Sequence, residues 1–385
     1  MKNFTKLMAV VMCIIIALSS AACSLTPQWS YKTGDTELNI GVYIYALYNA
    51  YTQAETLAQE TEGYDAEKGT YNGETSFLNV EITDEDGKKA TADQWIQDEA
   101  DEMLRSLLAV ETEFERLGAT LDEATVEGIK TSAKESWEYG PYYAMYGEQY
   151  KNPYKDIFEP LGVSYESFEY FYISSAKQQE VFERLYGEGG EKEVSTDDLT
   201  VYFKSNYTSY TYFNTNLYET VESTADSADA AQSLSKALPK KTINEYEDLY
   251  KGYAKAVNQG TDIKTVTETF VKDFKLESDP STSNVEILEN SSIGEDLVDA
   301  IDILEEGQAE CKIIGEENSQ VLYFFYKEPI KNQVKNYISD EANRSSVLQN
   351  MKGTEYSDYI TELSKTIDIT VSKAVSKYTP EMFED

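Results

Sequence analysis

Histidine is absent from all 385 residues. That absence removes Ser-His-Asp triads, Cys-His dyads, the commonest zinc ligand and imidazole as a proton switch. Basic residues are scarce too: 33 lysines and arginines stand against 70 aspartates and glutamates, a formal charge of −37. So acidic a surface repels phosphates and excludes nucleic acid as a partner, while it keeps the chain soluble. Cysteine occurs three times. Cys13 and Cys23 lie at the N-terminal end, so the body of the chain holds Cys311 alone and can form no internal disulfide. Its apolar surroundings, AECKII, mark it as a buried structural thiol. With 8 prolines and no repeat at a fixed period, neither a proline-rich stalk nor a solenoid fits. No glycine loop of the phosphate-cradling kind is present.

What is abundant is tyrosine, 31 residues, a side chain that packs its ring and keeps its hydroxyl hydrated. The length suits two or three domains. At the start, MKNFTKLMAVVMCIIIALSSAACS has Lys2 and Lys6, an apolar run over 7–18 and small residues before Cys23. The run is too short for a permanent span, and residues 1–22 read as a bacterial export signal. SAAC before Ser24 resembles a lipobox, although Ser20 stands where that pattern has leucine. The resemblance implies lipidation of Cys23, a tether over 23–30 and an anchor on the extracytoplasmic face of the cell membrane, since two or more acyl chains hold stably. An A-x-A-like cut and secretion is the alternative.

Periodicity predicts a strand or hairpin over 30–39 turning at Gly34-Asp35, then helices over 42–58 and 93–117, a further helix that opens after a turn within 117–129, and a helix over 163–187, with a polar insertion at 61–92. Ser164 and Ser195 carry acidic residues just downstream and read as helix caps. The second half alternates: a strand over 208–221, a loop or loosely held helix over 223–241, helices over 242–258 and 262–274, a strand near 285–288, a helix over 293–307 and two strands within LEEGQAECKIIGEENSQVLYFFYK (304–327). One long helix over 331–365 and a strand over 367–375 complete the chain. The fold class is α+β, with a mainly helical first module.

Three patterns invite chemistry. YGPYYAMYGEQYKNPY (139–154) gathers Tyr139, Tyr142, Tyr143, Tyr146, Tyr150 and Tyr154; these offer aromatic platforms to peptide side chains or sugar rings, or else form an aromatic joint between helices. Ser174-Ser175-Ala176-Lys177 and Ser233-Leu234-Ser235-Lys236 match S-x-x-K, and Lys32-Thr33-Gly34 matches K-T-G, but the order is wrong and S-D-N is missing, so the match is chance. Asp84-Glu85-Asp86-Gly87 lacks the full spacing of a calcium loop and reads as a solvated acidic turn. No metal site and no cofactor is expected.

The order of parts resembles the extracytoplasmic SurA/PrsA-type foldases: lipobox, TGDTELN leading into a Tyr-rich helix, the LG-x-T/S-x-D/E steps at 117–122 and 161–166, VSTDDLTVYFKSNY (194–207), and the succession IGEDLVDAIDILEEGQAECKIIGEENSQVLYFFYK. The resemblance implies a helical chaperone module over 31–206, an inserted parvulin-like α+β domain over 207–330, and a segment over 331–385 that returns to the first module. Active parvulins carry one histidine on the first strand and another on the last, and YTSYTYFNTNLY and SQVLYFFYK have none. Gly307-Gln308-Ala309-Glu310 keeps the family's glycine but has glutamine for its glutamate and glutamate for its serine. The resemblance and these departures together imply a membrane-anchored chaperone that holds unfolded or partly folded exported proteins, with no catalytic residues and no prolyl isomerase activity, and with the six tyrosines as client contacts. An isomerase with a divergent, histidine-free site is the alternative, and a ligand-capturing surface lipoprotein is a third reading.

Overall fold

The computed structural model describes residues 29–84, 87–221, 234–316 and 318–384. The export signal and Cys23 lie outside them, as do 85–86 of the acidic turn and most of the expected loop at 223–241. Two compact units divide the chain, Met1–Lys192 with Thr354–Asp385, and Glu193–Gly353.

The first unit opens with β1 (Trp29–Thr33) and β2 (Thr36–Asn39), an antiparallel hairpin whose turn glycine, Gly34, takes a φ of 54° that other residues resist. Asn39 caps α1 (Ile40–Gln59) by accepting from the Val42 amide at 3.0 Å. The insertion folds as two short hairpins, β3 (Tyr64–Asp65) with β4 (Thr70–Tyr71) and β5 (Glu81–Thr83) with β6 (Lys89–Thr91). Helices α2 (Ala92–Arg116), α3 (Glu123–Tyr139), α4 (Tyr143–Tyr146), α5 (Tyr154–Phe158) and α6 (Tyr165–Tyr186) come next. The turn expected at the start of 117–129 is made by Gly118, which at φ 59° ends the preceding helix, and Asp122 caps α3, which runs on beyond 129 to Tyr139. Small buried residues on α1, Ala46, Ala50, Ala54 and Ala58, let α2 approach with Ile96, Ala100, Leu104 and Leu108.

The second unit begins at α7 (Thr196–Asn206), capped by Ser195. Residues 208–221 are two strands rather than one, β7 (Thr208–Asn216) and β8 (Tyr218–Val221), because buried Leu217 leaves the ladder and donates its amide to the Gln320 carbonyl at 2.8 Å. Where a loop or helix is expected, β9 (Leu234–Ala237) pairs with β8. The unit continues through α8 (Lys240–Asn258), α9 (Ile263–Asp273), β10 (Thr282–Glu286), α10 (Glu295–Asp302), β11 (Ala309–Ile314), β12 (Val321–Glu328) and α11 (Val334–Ser339). The main sheet is antiparallel in the order β10-β7-β12-β11. Helices α8 and α9 bury one face through Phe213, Tyr250, Phe270 and Phe324; α10 covers the other through Tyr210, Leu297, Ile301 and Phe325. The fold class is thus α+β with a mainly helical unit.

The long helix expected over 331–365 is broken. Asp340 takes an extended conformation and its carboxylate accepts from the Asn343 amide at 2.9 Å, so it starts α12 (Glu341–Thr366) afresh. The strand expected over 367–375 shrinks to β13 (Thr370–Val371), which pairs with β1 through Tyr31↔Val371. Among the described residues no helix is long and apolar enough to cross a membrane.

A buried charge fastens the returning segment within the first unit. Glu113 is 1% exposed; Arg116 donates to both its oxygens at 2.7 Å, and Tyr359 of α12 donates at 2.6 Å. Burial raises this carboxyl's pKa, but the Arg116 and Tyr359 hydrogen bonds outweigh it and hold the group below its ordinary value. Arg116→Ala leaves the buried carboxylate with Tyr359 as its remaining donor and no countercharge from Arg116, and is expected to destabilise the first unit by about 2–3 kcal/mol at neutral pH. A depressed carboxyl stabilises above its ordinary pKa of about 4.3 and loses that contribution as pH falls through the folded value. The stability gap between the variant and the wild type should therefore hold at neutral pH and begin to narrow in urea titrations as pH falls below about 4.3.

Candidate functional site

In the first unit α1, α2, α3 and α6 leave a groove of about 910 Å³. Tyr45, Phe171 and Tyr172 give it aromatic walls, and Met103 and Ile129 give it aliphatic ones. Spacing explains the lining, since Thr125, Ile129 and Ser132 fall on one stripe of α3 while Phe171 and Ser175 share a stripe of α6. Gly128, Ser132, Ser175 and Ala176 are too small to fill the space between the helices. No lining residue is ionisable as an acid or base other than tyrosine. The phenol of Tyr45 is pushed up to about 12 by burial, so the groove stays neutral at working pH. In a chain of charge −37 this is a surface suited to apolar segments.

The tyrosine run forms a loop after α3 that is pinned at its base. Asn152 donates its amide to the Tyr139 carbonyl at 3.0 Å, and a Cβ on Gly140, φ 90°, would lie 2.3 Å from the Asn152 carbonyl oxygen. Only glycine allows that approach. The six tyrosines divide by place. Tyr142, Tyr146 and Tyr150 are exposed, and Met145, which no motif or spacing singles out, is more exposed still at 74%. Tyr139 and Tyr143 are half-buried and stacked at 4.7 Å. Tyr154 belongs to the interior, 5.7 Å from Phe158 and 5.3 Å from Phe168.

The groove residues Tyr45, Ile129 and Phe171 are not legible as a site in the sequence, because each sits on a stripe that reads as ordinary helix packing. The one available signal is the small residues at 128, 132, 175 and 176, spaced along two helices.

In the second unit the strands that the resemblance singles out, β7 and β12, place Phe213 against Phe324 and Tyr212 against Phe325. The polar groups there are already committed. Tyr210 donates to Glu286 and accepts from Asn284 at 3.0 Å, and Thr215 pairs with the Tyr250 hydroxyl at 2.7 Å. Burial and then Glu286 hold the Tyr210 phenol above its ordinary pKa, so it stays protonated and serves as no base. Cys311 is half-buried, and burial raises its thiol, which leaves it a poor nucleophile. A smaller cavity of about 590 Å³ beside α10 and β11 is lined by Asp299, Asp302, Glu310 and Lys312.

The chance motifs take structural roles. Lys177 pairs at 2.6 Å with Glu111, which is 7% exposed, and its ammonium lies 5.4 Å from the Phe114 ring centroid. In the acidic turn, Asp84 accepts from the Lys88 amide at 2.8 Å.

No protein-family model matches the chain, and no curated protein matches it. Among solved structures it is similar to the foldase protein PrsA of Streptococcus pneumoniae, at 14% identity over 77% of this chain and 97% of that one, with a TM-score of 0.32. PrsA of Bacillus subtilis is 14% identical over 80% of this chain and 99% of its own, with a TM-score of 0.27. A structure from work on PEB4 and Cj1289, SurA-like chaperones of Campylobacter jejuni, is 13% identical over 90% and 100%, with a TM-score of 0.26. The proteins to which this chain is similar are thus PrsA foldases and SurA-like chaperones, each matched over at least 97% of its own length.

Proposed function

We propose that the protein is an extracytoplasmic holding chaperone, anchored to the membrane through lipidated Cys23, that retains unfolded or partly folded exported polypeptides without isomerising their prolyl bonds. In this reading 31–206 with 331–385 hold the client, and 207–330 is an isomerase-like domain that has lost its chemistry. The observation that carries it is the neutral, aromatic groove of about 910 Å³ in a chain of charge −37. Such a surface binds apolar segments without regard to a particular side-chain pattern. The strands β7 and β12, which carry tyrosine, phenylalanine and threonine in place of the family's histidines, support the loss of isomerase activity.

The test is the refolding of a proline-limited, aggregation-prone protein. Stoichiometric amounts should suppress aggregation and leave the slow phase, set by prolyl isomerisation over tens of seconds, unchanged. Ser175→Trp, at an exposed groove position, fills the site and should weaken suppression several-fold while stability shifts by no more than about 0.5 kcal/mol. Acceleration of the slow phase at substoichiometric protein would replace this reading with the isomerase. A chain that suppresses nothing, yet melts higher with a saturable small ligand, would replace it with ligand capture.

A further inference from the structure

We propose that the tyrosine loop selects lysine- and arginine-bearing stretches of extended polypeptide, a preference that rests on the holding function and names its client chemistry. Tyr142, Met145, Tyr146 and Tyr150 are 60%, 74%, 53% and 50% exposed and lie in one short loop. Their rings form a ladder, Tyr142 to Tyr146 at 6.4 Å and Tyr146 to Tyr150 at 5.0 Å. Exposed ring faces carry negative charge density and attract ammonium and guanidinium groups.

The loop already holds one cation in this way. Lys151 places its ammonium 5.3 Å from the Tyr139 ring centroid, with the Glu148 carboxylate 3.6 Å away. Ring face and carboxylate together make a lysine seat, and the ladder offers further exposed ring faces to a second cation. Residues 135–159 contribute Glu135, Glu138, Glu148, Asp156 and Glu159 against Lys151 and Lys155. The whole chain adds a field of the same sign, which speeds the arrival of basic segments and repels acidic ones. Preorganisation supports the seat: the base is locked at Gly140 and Asn152, so the ladder needs little ordering when a client lands.

The experiment measures binding of the full mature chain to two labelled unfolded peptides of equal apolar content, one carrying lysines and the other glutamates at the same positions, by fluorescence anisotropy. The lysine peptide should bind at least tenfold tighter, and added salt should narrow the gap. Replacing Tyr142, Tyr146 and Tyr150 together by serine should weaken the lysine peptide about tenfold. The triple phenylalanine variant, which keeps the rings, should bind like the wild type. Equal binding of the two peptides, or a serine variant that binds the lysine peptide undiminished, overturns the proposal. Aggregation suppression of a neutral client, run in parallel, separates the two claims: if it persists while the peptides bind equally, only the cation preference falls, and if it fails for every client the holding function falls with it.

Discussion

Phe213→Ala should cost the second unit about 3–5 kcal/mol, a large share of the stability of a typical domain. The ring is fully buried between Phe270 of α9, centroid distance 4.2 Å, and Phe324 of β12 at 4.5 Å, both nearly parallel to it. Tyr250 and Tyr253 of α8 close the edges at 5.6 and 6.0 Å. One side chain therefore joins the two central strands to both helices on that face, and truncation leaves a void that the surrounding rings, held on their own helices and strand, fill only in part. Amide exchange in β7 and β12 that proceeds through global unfolding should accelerate by roughly two to three and a half orders of magnitude, the factor that about 3–5 kcal/mol implies. Phe213→Leu, which keeps most of the volume, should recover most of the loss. A change below about 1 kcal/mol would mean that the sheet collapses around the gap. Under permissive conditions the variant should still suppress aggregation, because the proposed holding surfaces belong to the first unit.

Local chemistry makes much of this fold readable. Ser164, Ser195 and Asp122 cap helices because their oxygens accept from amides that have no partner in the first turn. Gly34-Asp35 turns a hairpin for an equally local reason. Asp340 shows where such reading stops. Apolar residues from Val334 to Leu363 keep helical spacing across it, and only its extended backbone, ψ 128°, divides α11 from α12. Leu217 and β9 escape for another reason: what splits 208–221 is pairing with residues 234–237 and 320, a tertiary outcome that alternation cannot encode. The candidate site divides in the same way. Tyrosine density flags 139–154, yet nothing in the spacing says that Tyr154 turns inward and Tyr146 outward, since both lie beside glycine- or proline-bearing turns. The groove is invisible in the sequence, because a void is a property of four helices at once.

Phe168→Ala tests that groove from behind. Phe168 is fully buried on α6, with five aromatic neighbours: Tyr45 at 5.7 Å, Trp137 at 5.2 Å, Tyr154 at 5.3 Å, Phe158 at 6.2 Å and Tyr172 at 5.2 Å. Its loss should cost the first unit about 3–5 kcal/mol, read as a lower urea midpoint. Two of the five neighbours, Tyr45 and Tyr172, are groove walls, and Tyr154 fastens the exposed loop to the interior. Without the ring behind them these walls gain rotamers, and a client must then order them on binding. Aggregation suppression should therefore fall at temperatures where the variant is still folded, whereas Arg116→Ala, which lowers stability through Glu113 and not through a residue lining the groove, should leave suppression intact. If the two variants lose suppression in proportion to their stability alone, the aromatic cluster is core and nothing more. If Phe168→Ala loses more, the cluster that holds the helices together is also what keeps the groove open in the shape a client meets.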